Sequence, residues 1–191
     1  MNWPRQISTD RLLLREPRPA DAPALFEGAL GQPEVLRWVG FKPHTDVQQT
    51  RRQLDFEAHR WLRGSGWLWV LGLRTPQAPD GEAVGQVELT PLSQPAAQAF
   101  HLRLGYVLAQ GHGGQGLMSE AVSALLAEAW RSPAVWRVDA LCDVDNAASA
   151  RLLSRVGLQL EGRLQRAVSH PQASPHPRDA WLFGRGRPPR P

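Results

Sequence analysis

Cysteine, tyrosine and lysine each occur once in these 191 residues, as Cys142, Tyr106 and Lys42. A solitary cysteine excludes a disulfide framework and a CxxC metal clip, so no metal is expected and a reducing, cytoplasmic setting suits the chain. No apolar run approaches the roughly 18 residues that would cross a bilayer, and Met1 to Arg11 carries no apolar signal core. The expectation is a protein with no membrane partner.

What is present reads as globular. Hydrophobic residues make up 42% and charged residues 21%, and eight tryptophans supply bulky core material. This length suits one domain, able to bury roughly 70% of the surface of its unfolded chain. Charge is unevenly spread: of 22 basic residues only Lys42 is not arginine. Residues 147 to 191 hold eight arginines against Glu161 and Asp179, a net of +6, so the first 146 residues carry −2 of the total of +4. No basic stripe or nucleic-acid motif appears in the body of the chain, which argues against nucleic-acid binding. Residues 1 to 183 are expected to form the domain. Residues 184 to 191, with Arg185, Arg187 and Arg190, are expected to be a flexible basic tail that serves solubility or touches the ribosome.

Hydrophobic spacing predicts strands at Arg11 to Arg15, Trp67 to Arg74, Ala83 to Thr90 and Phe100 to Leu108. The last three follow one another without a helix, so this part of the sheet is expected to be antiparallel. Helical segments are predicted at Asp21 to Leu30 and Val47 to Leu62, the second opened by a capping box between Thr45 and Gln48. Beyond Gln110 a glycine-rich turn leads into a helix whose buried face is Met118, Val122, Leu125, Leu126 and Ala129. A strand at Val135 to Cys142 comes next. A further helix follows, capped by Asp145 or Asn146 and stopped by Gly157, and then strands at Leu158 to Glu161 and Ala180 to Phe183.

Residues 111 to 116, GHGGQG, carry the strongest chemical signal. A strand, a turn without side chains and a helix N-terminus together present several backbone N–H groups to an anion, and a phosphate-bearing ligand is the natural guest. A nucleotide P-loop is excluded because no Gly-Lys-Ser/Thr follows. Gly111, Gly113 and Gly116 match G-x-G-x-x-G literally, with Asp139 roughly 20 residues on, which leaves a dinucleotide-binding oxidoreductase as an alternative. Against it, three helix-free strands precede the motif.

Three blocks, ISTDRLLLREPRPADAPALF, GYVLAQGHGGQGLMSEAV and DNAASARLLSRVGLQLEG, resemble in order and spacing the Gcn5-related N-acetyltransferase (GNAT) superfamily. The nearest branch is that of the ribosomal-protein N-acetyltransferases (RimJ/RimL-like). The resemblance runs from about Ile7 to Phe183. It implies an α/β (α+β) fold: a mixed sheet of six or seven strands, antiparallel at first, with a splayed central parallel pair that admits acetyl-CoA, flanked by about four helices.

The resemblance also implies roles. Gly113, Gly114, Gln115, Gly116, Leu117 and Met118 occupy the pyrophosphate loop, with Gly113 where Gln or Arg is usual, and Ser119 adds a hydroxyl. Val107 and Leu108 match the strand edge that pairs with the pantetheine arm. Asn146 and Ser149 match an Asn-x-x-Ser element that faces the pantetheine and sulfur. Arg151 and Arg155 are candidates for the 3′-phosphate; a plain N-cap and a solvated helix face are the alternatives for Asn146 and the arginines. Where many members place a tyrosine acid, this chain has Leu153, so Ser149 is the candidate hydroxyl donor. Glu88 is the candidate base, with His101 and His112 as alternatives, and Arg103 stands where relatives often carry Glu.

The implied reaction is acetyl transfer from acetyl-CoA by direct attack of a primary amine, without a metal. The acceptor is expected to be an α-amine of a protein, peptide or amino-acid-like molecule, bound near Trp38 to Thr45 and His170 to His176. Trp38, Trp61, Trp67 and Trp181 are candidate lining residues. A monomer or homodimer is expected. The other-class alternative is a non-catalytic acyl-CoA-binding sensor, in which the cleft survives without the chemistry.

Overall fold

The computed structural model describes residues 3–92 and 100–187. Residues 93–99 and the last four residues, which include Arg190, lie outside them.

One mixed sheet organises the chain, in the order β1-β2-β3-β4-β5-β6-β8-β7. Its strands are β1 (Gln6–Ser8), β2 (Leu12–Arg15), β3 (Trp67–Thr75), β4 (Ala78–Pro91), β5 (His101–Leu108), β6 (Arg137–Asp143), β7 (Gln159–Val168) and β8 (Arg178–Gly186). The helices are α1 (Ala22–Leu25), α2 (Val47–Arg63), α3 (Leu117–Arg131) and α4 (Ala147–Arg155). Strands β1 to β5 are antiparallel and β5 pairs parallel with β6, as expected. The eighth strand is the three-residue β1, too short to show a period of two.

Strand β3 shows why the sheet sits at the centre. Its run WLWVLGL has no polar alternation because both faces are covered. Trp67, Trp69 and Leu71 pack on the face that receives α3 and its Val122, Leu125 and Leu126. Leu68 and Val70 turn the other way, toward Leu25, Leu30 and Leu54 of the α1 and α2 layer. Two apolar layers therefore clamp one sheet.

Helices α2, α3 and α4 form where predicted, with local shifts. The face predicted for α3 is buried throughout. Helix α2 is capped one residue later than expected: Asp46 accepts the Gln49 amide at 2.9 Å, while the Gln49 side chain reaches back to the Thr45 amide at 3.0 Å. The box is displaced because the Asp46 carboxylate is the better acceptor of the two adjacent candidates. At the end of α4, Gly157 takes φ 86° and Leu158 donates to the Leu153 carbonyl at 3.0 Å, which closes the helix as Gly157 foretold.

The expected tail starts too early. Gly184, Arg185 and Gly186 belong to β8 and pair with Asp139, Val138 and Arg137 of β6. Arg187 is tied down as well, its amide donating to Trp136 and its guanidinium to the carbonyls of Val135 and Ser132. The ladder to β6 continues past Phe183, and at Gly184 a Cβ would collide with the Arg137 and Glu161 side chains. Residues 184 to 187 therefore belong to the sheet and its margin, not to a free tail.

Among the described residues no helix is long and apolar enough to cross a membrane, and no group of three or more His, Cys, Asp or Glu is placed to hold a metal.

Candidate active site

Strands β5 and β6 are hydrogen-bonded neighbours only at their start, through His101↔Arg137, Leu102↔Val138 and Arg103↔Asp139. Beyond that they part. The gap is a cleft of about 780 Å³, walled by Leu104 to Leu108 of β5 on one side and Ala140 to Asp143 of β6 on the other. The glycine loop and the first turn of α3 close one end. Helix α4 supplies Asn146, Ser149, Arg151 and Arg155, and the far end is built by Trp38 to Phe41 with Gln53, Glu57, Arg60, Gln86 and Glu88.

The loop has the conformation that its glycines permit. Gly114 and Gly116 take φ of 76° and 78°, a region costly for residues bearing a Cβ. Gly116 is the N-cap of α3, so the amides of Leu117, Met118 and Ser119, unsatisfied within the helix, face the cleft end. Gln115 is the one expected loop residue whose side chain does not line the cleft. Its side chain donates to the Gly111 carbonyl at 3.0 Å, and its own carbonyl accepts from Arg11 at 3.0 Å.

That Arg11 contact belongs to an anchor that sequence reasoning missed. Glu120 in the first turn of α3 accepts from the Thr9 hydroxyl at 2.5 Å, the Arg11 amide at 3.0 Å and Arg11 Nε at 2.8 Å. Burial alone would raise the Glu120 pKa; these donors outweigh it and hold the carboxyl below its ordinary value. The β1–β2 turn thus clamps the glycine loop from behind.

Asn146 caps α4, its Oδ1 accepting the Ser149 amide at 3.1 Å, and it also lines the cleft. Ser149 Oγ lies 2.7 Å from the Tyr106 hydroxyl, and both residues line the cleft. Leu153, in the tyrosine slot implied by the resemblance, is fully buried and packs in the core. Among the described residues Arg151 and Arg155 have no carboxylate partner, whereas Arg178 grips Asp143 at 2.6 and 3.0 Å. Burial works to raise the Asp143 pKa, but the Arg178 fork and the Asp145 amide hold it low.

Glu88 faces the far end, where Gly105, its neighbour across the ladder, has no side chain; a Cβ there would lie 2.9 Å from Glu88 Oε1. Arg60 bonds both Glu88, at 3.2 Å, and Glu57, at 2.9 Å. Burial first, and the neighbouring Glu88 charge after Arg60, act on Glu57, whose carboxyl titrates above its ordinary value. Glu57 and Arg60 escaped the sequence reading. The signal lay in the α2 pattern, where Thr50, Leu54 and Glu57 form one buried stripe, so a carboxylate sits on the inward face.

The other base candidates divide. His112 lines the cleft beside the loop. His101 and Arg103 instead hold the buried Asp139, at 2.8 Å each, in the paired part of the strands and outside the cleft lining. Asp139 is thereby consumed, and the glycine loop opens a single βαβ unit, β5-α3-β6, after which the sheet continues antiparallel, so the dinucleotide reading falls. Trp38 lines the cleft; Trp67 packs against Trp3 at 5.4 Å, Trp61 against Trp69 at 4.9 Å, and neither these nor Trp181 reach it. The His170 to His176 loop braces the Trp38 segment from outside, Gln172 donating to the carbonyls of Leu36 at 3.0 Å and Phe41 at 2.6 Å.

A split parallel pair with a glycine loop and α3 N-terminus at one end defines a class, and the comparison with known proteins agrees. The family described as acetyltransferase (GNAT) domain matches residues 11–159, and the chain belongs to it. It is 28% identical over 159 residues to the uncharacterized N-acetyltransferase YoaA of Bacillus subtilis (strain 168), which spans 83% of this chain and 85% of that protein. Among solved structures it resembles RimL, the ribosomal L7/L12 alpha-N-protein acetyltransferase, in complex with coenzyme A. The TM-score is 0.80 and the identity 23%, with 95% of this chain and 97% of that one covered. The microcin C7 self immunity acetyltransferase MccE, in complex with acetyl-CoA and AMP, gives a TM-score of 0.78 at 19% identity, with 93% of each chain covered. The chain is an N-acetyltransferase.

Proposed function

We propose that this enzyme transfers the acetyl group of acetyl-CoA to an α-amine, carried by a protein N-terminus, a peptide or an amino-acid-like small molecule. The observation that carries this reading is the content of the cleft. Phosphate-seeking groups lie at one end, a hydroxyl pair at the middle, and at the far end a carboxylate that already shares an arginine.

The fit to acetyl-CoA rests on three features. The amides of Leu117, Met118 and Ser119, with the open turn at Gly113, Gly114 and Gly116, offer the pyrophosphate a ring of donors. Gln115 does not line the cleft. Arg151 and Arg155, unpaired among the described residues, suit the 3′-phosphate, and the unpaired edge of Val107 and Leu108 suits the amides of the pantetheine arm.

The acceptor class follows from proton energetics. At pH 7 a lysine amine must lose a proton at a cost of about 4.6 kcal/mol, an α-amine at only about 1–1.4 kcal/mol. Glu88 is the base of this scheme, and it shares Arg60 with Glu57. A carboxylate is an intrinsically weak base and fits an acceptor that needs little help. Ser149 hydrogen-bonds the sulfur as charge develops there.

Thiol release from acetyl-CoA, measured across α-amine peptides, free amino acids, polyamines and aminated antibiotics, tests the reading. Amines of the first two groups are expected to give the highest kcat/KM. A polyamine ahead of both would refute it.

A further inference from the structure

Tyr106 has no assigned role, yet it is the chain's only tyrosine and it lies in the cleft wall, its hydroxyl 2.7 Å from Ser149 Oγ. We infer that Tyr106 is a positioning residue: its phenolic O–H donates to Ser149 Oγ and so turns the Ser149 proton toward the departing sulfur. This rests on the proposed transfer reaction in the same cleft.

Chemistry sets the direction of the bond. A phenol is the more acidic hydroxyl and the poorer acceptor, an aliphatic alcohol the reverse, so the pair is best satisfied with Tyr106 as donor. The 2.7 Å separation is typical of a good O–H···O bond. Both oxygens are held from behind. Tyr106 stands on β5 opposite Val87, and Ser149 is fixed in the first turn of α4 by the Asn146 cap. Burial pushes the Tyr106 phenol well above its ordinary value, so it stays protonated through turnover. Cys142 is kept as a thiol by burial and also lies within hydrogen-bond reach of Ser149; its single proton has the carbonyls of Asp143 and Asn146 as alternative acceptors, both at 3.4 Å.

In the reaction the amine nitrogen forms the new C–N bond, the C–S bond breaks, and its electron pair leaves on sulfur. The proton shed by nitrogen reaches that sulfur through water or Glu88. Ser149 and Tyr106 retain their own protons. Their contribution is a hydroxyl already aimed, and strengthened by the bond behind it.

The test combines kinetics with a spectroscopic reporter. Thiol release from acetyl-CoA is followed with a pool of lysine-free tetrapeptides bearing free α-amines, and with water alone so that a rate always exists. Tyr106→Phe keeps the ring and is expected to lower kcat about 5–10-fold while the KM for acetyl-CoA stays within twofold. Ser149→Ala is expected to cost at least as much, and the double variant no more than Ser149→Ala alone. Protein labelled with 13Cζ-tyrosine gives one resonance, which Ser149→Ala is expected to shift. Full kcat in Tyr106→Phe, an unmoved resonance, or a double variant slowed by the product of the two single effects overturns the inference while leaving acetyl transfer standing. Ser149→Ala at full kcat overturns the donor role of Ser149 itself, and the inference with it.

Discussion

Removing Glu120 would show whether the glycine loop depends on the clamp behind it. Its carboxylate gathers Thr9 and Arg11, and Arg11 in turn holds the Gln115 carbonyl, yet Glu120 does not line the cleft. The Arg11–Glu120 ion pair has side-chain exposures of 47% and 20%, so it contributes at most about 1 kcal/mol. The bonds from the Thr9 hydroxyl and the Arg11 amide add about 1 kcal/mol between them after exchange with water. Glu120→Ala should therefore cost about 2 kcal/mol, a fall in Tm of about 4–8 °C for a chain of this size. Losing the aim of one loop contact should weaken acetyl-CoA about fivefold. Calorimetric melting and titration with acetyl-CoA read the two quantities separately. Because the folded Glu120 pKa lies below its ordinary 4.5, its stabilisation is present above that pH and fades as pH falls through the folded value. Wild type and variant should converge in acid. A normal Tm would refute the energetics, and a lowered Tm with unchanged affinity would refute the clamp.

Asp143, wholly buried and gripped by Arg178, follows the same sign: its low folded pKa lends stability above about pH 4 that is lost on acidification. Asp143→Asn should be less stable at neutral pH, with a shallower acid-melting slope than wild type by pH-dependent calorimetry; equal slopes would refute this. Arg151→Ala and Arg155→Ala should each weaken CoA about 5–20-fold and leave 3′-dephospho-CoA nearly unaffected. Equal losses for both ligands would show that the arginines do not meet that phosphate.

How much of this was legible in sequence depended on whether a signal was local. The α3 stripe from Met118 to Ala129, the Asn146 cap and the Gly157 stop were readable because each follows from neighbours along the chain. The glycine loop was readable because residues that need positive φ carry no side chain. The eighth strand and the ordering of Arg185 and Arg187 were not, since a three-residue edge strand and the end of β8 take their structure from ladder partners distant in sequence. The same holds at the site. The contact between Tyr106 and Ser149 and the clamp of Glu120 on Thr9 and Arg11 join residues 43, 111 and 109 positions apart. The sharing of Arg60 by Glu57 and Glu88 likewise bridges a helix and a strand. Only Glu57 left a trace, as a charge on the inward stripe of α2.

The central claim is transfer of acetyl to a weakly basic amine, and one competition measures it. A peptide with one free α-amine and one lysine is incubated with enzyme and acetyl-CoA near pH 7, and the acetylated position is read by fragment mass. The account predicts acetyl on the α-amine first, matched mole for mole by released thiol. Lysine modified first would contradict the acceptor class, and acetyl-CoA bound without amine-dependent thiol release would contradict the transfer itself.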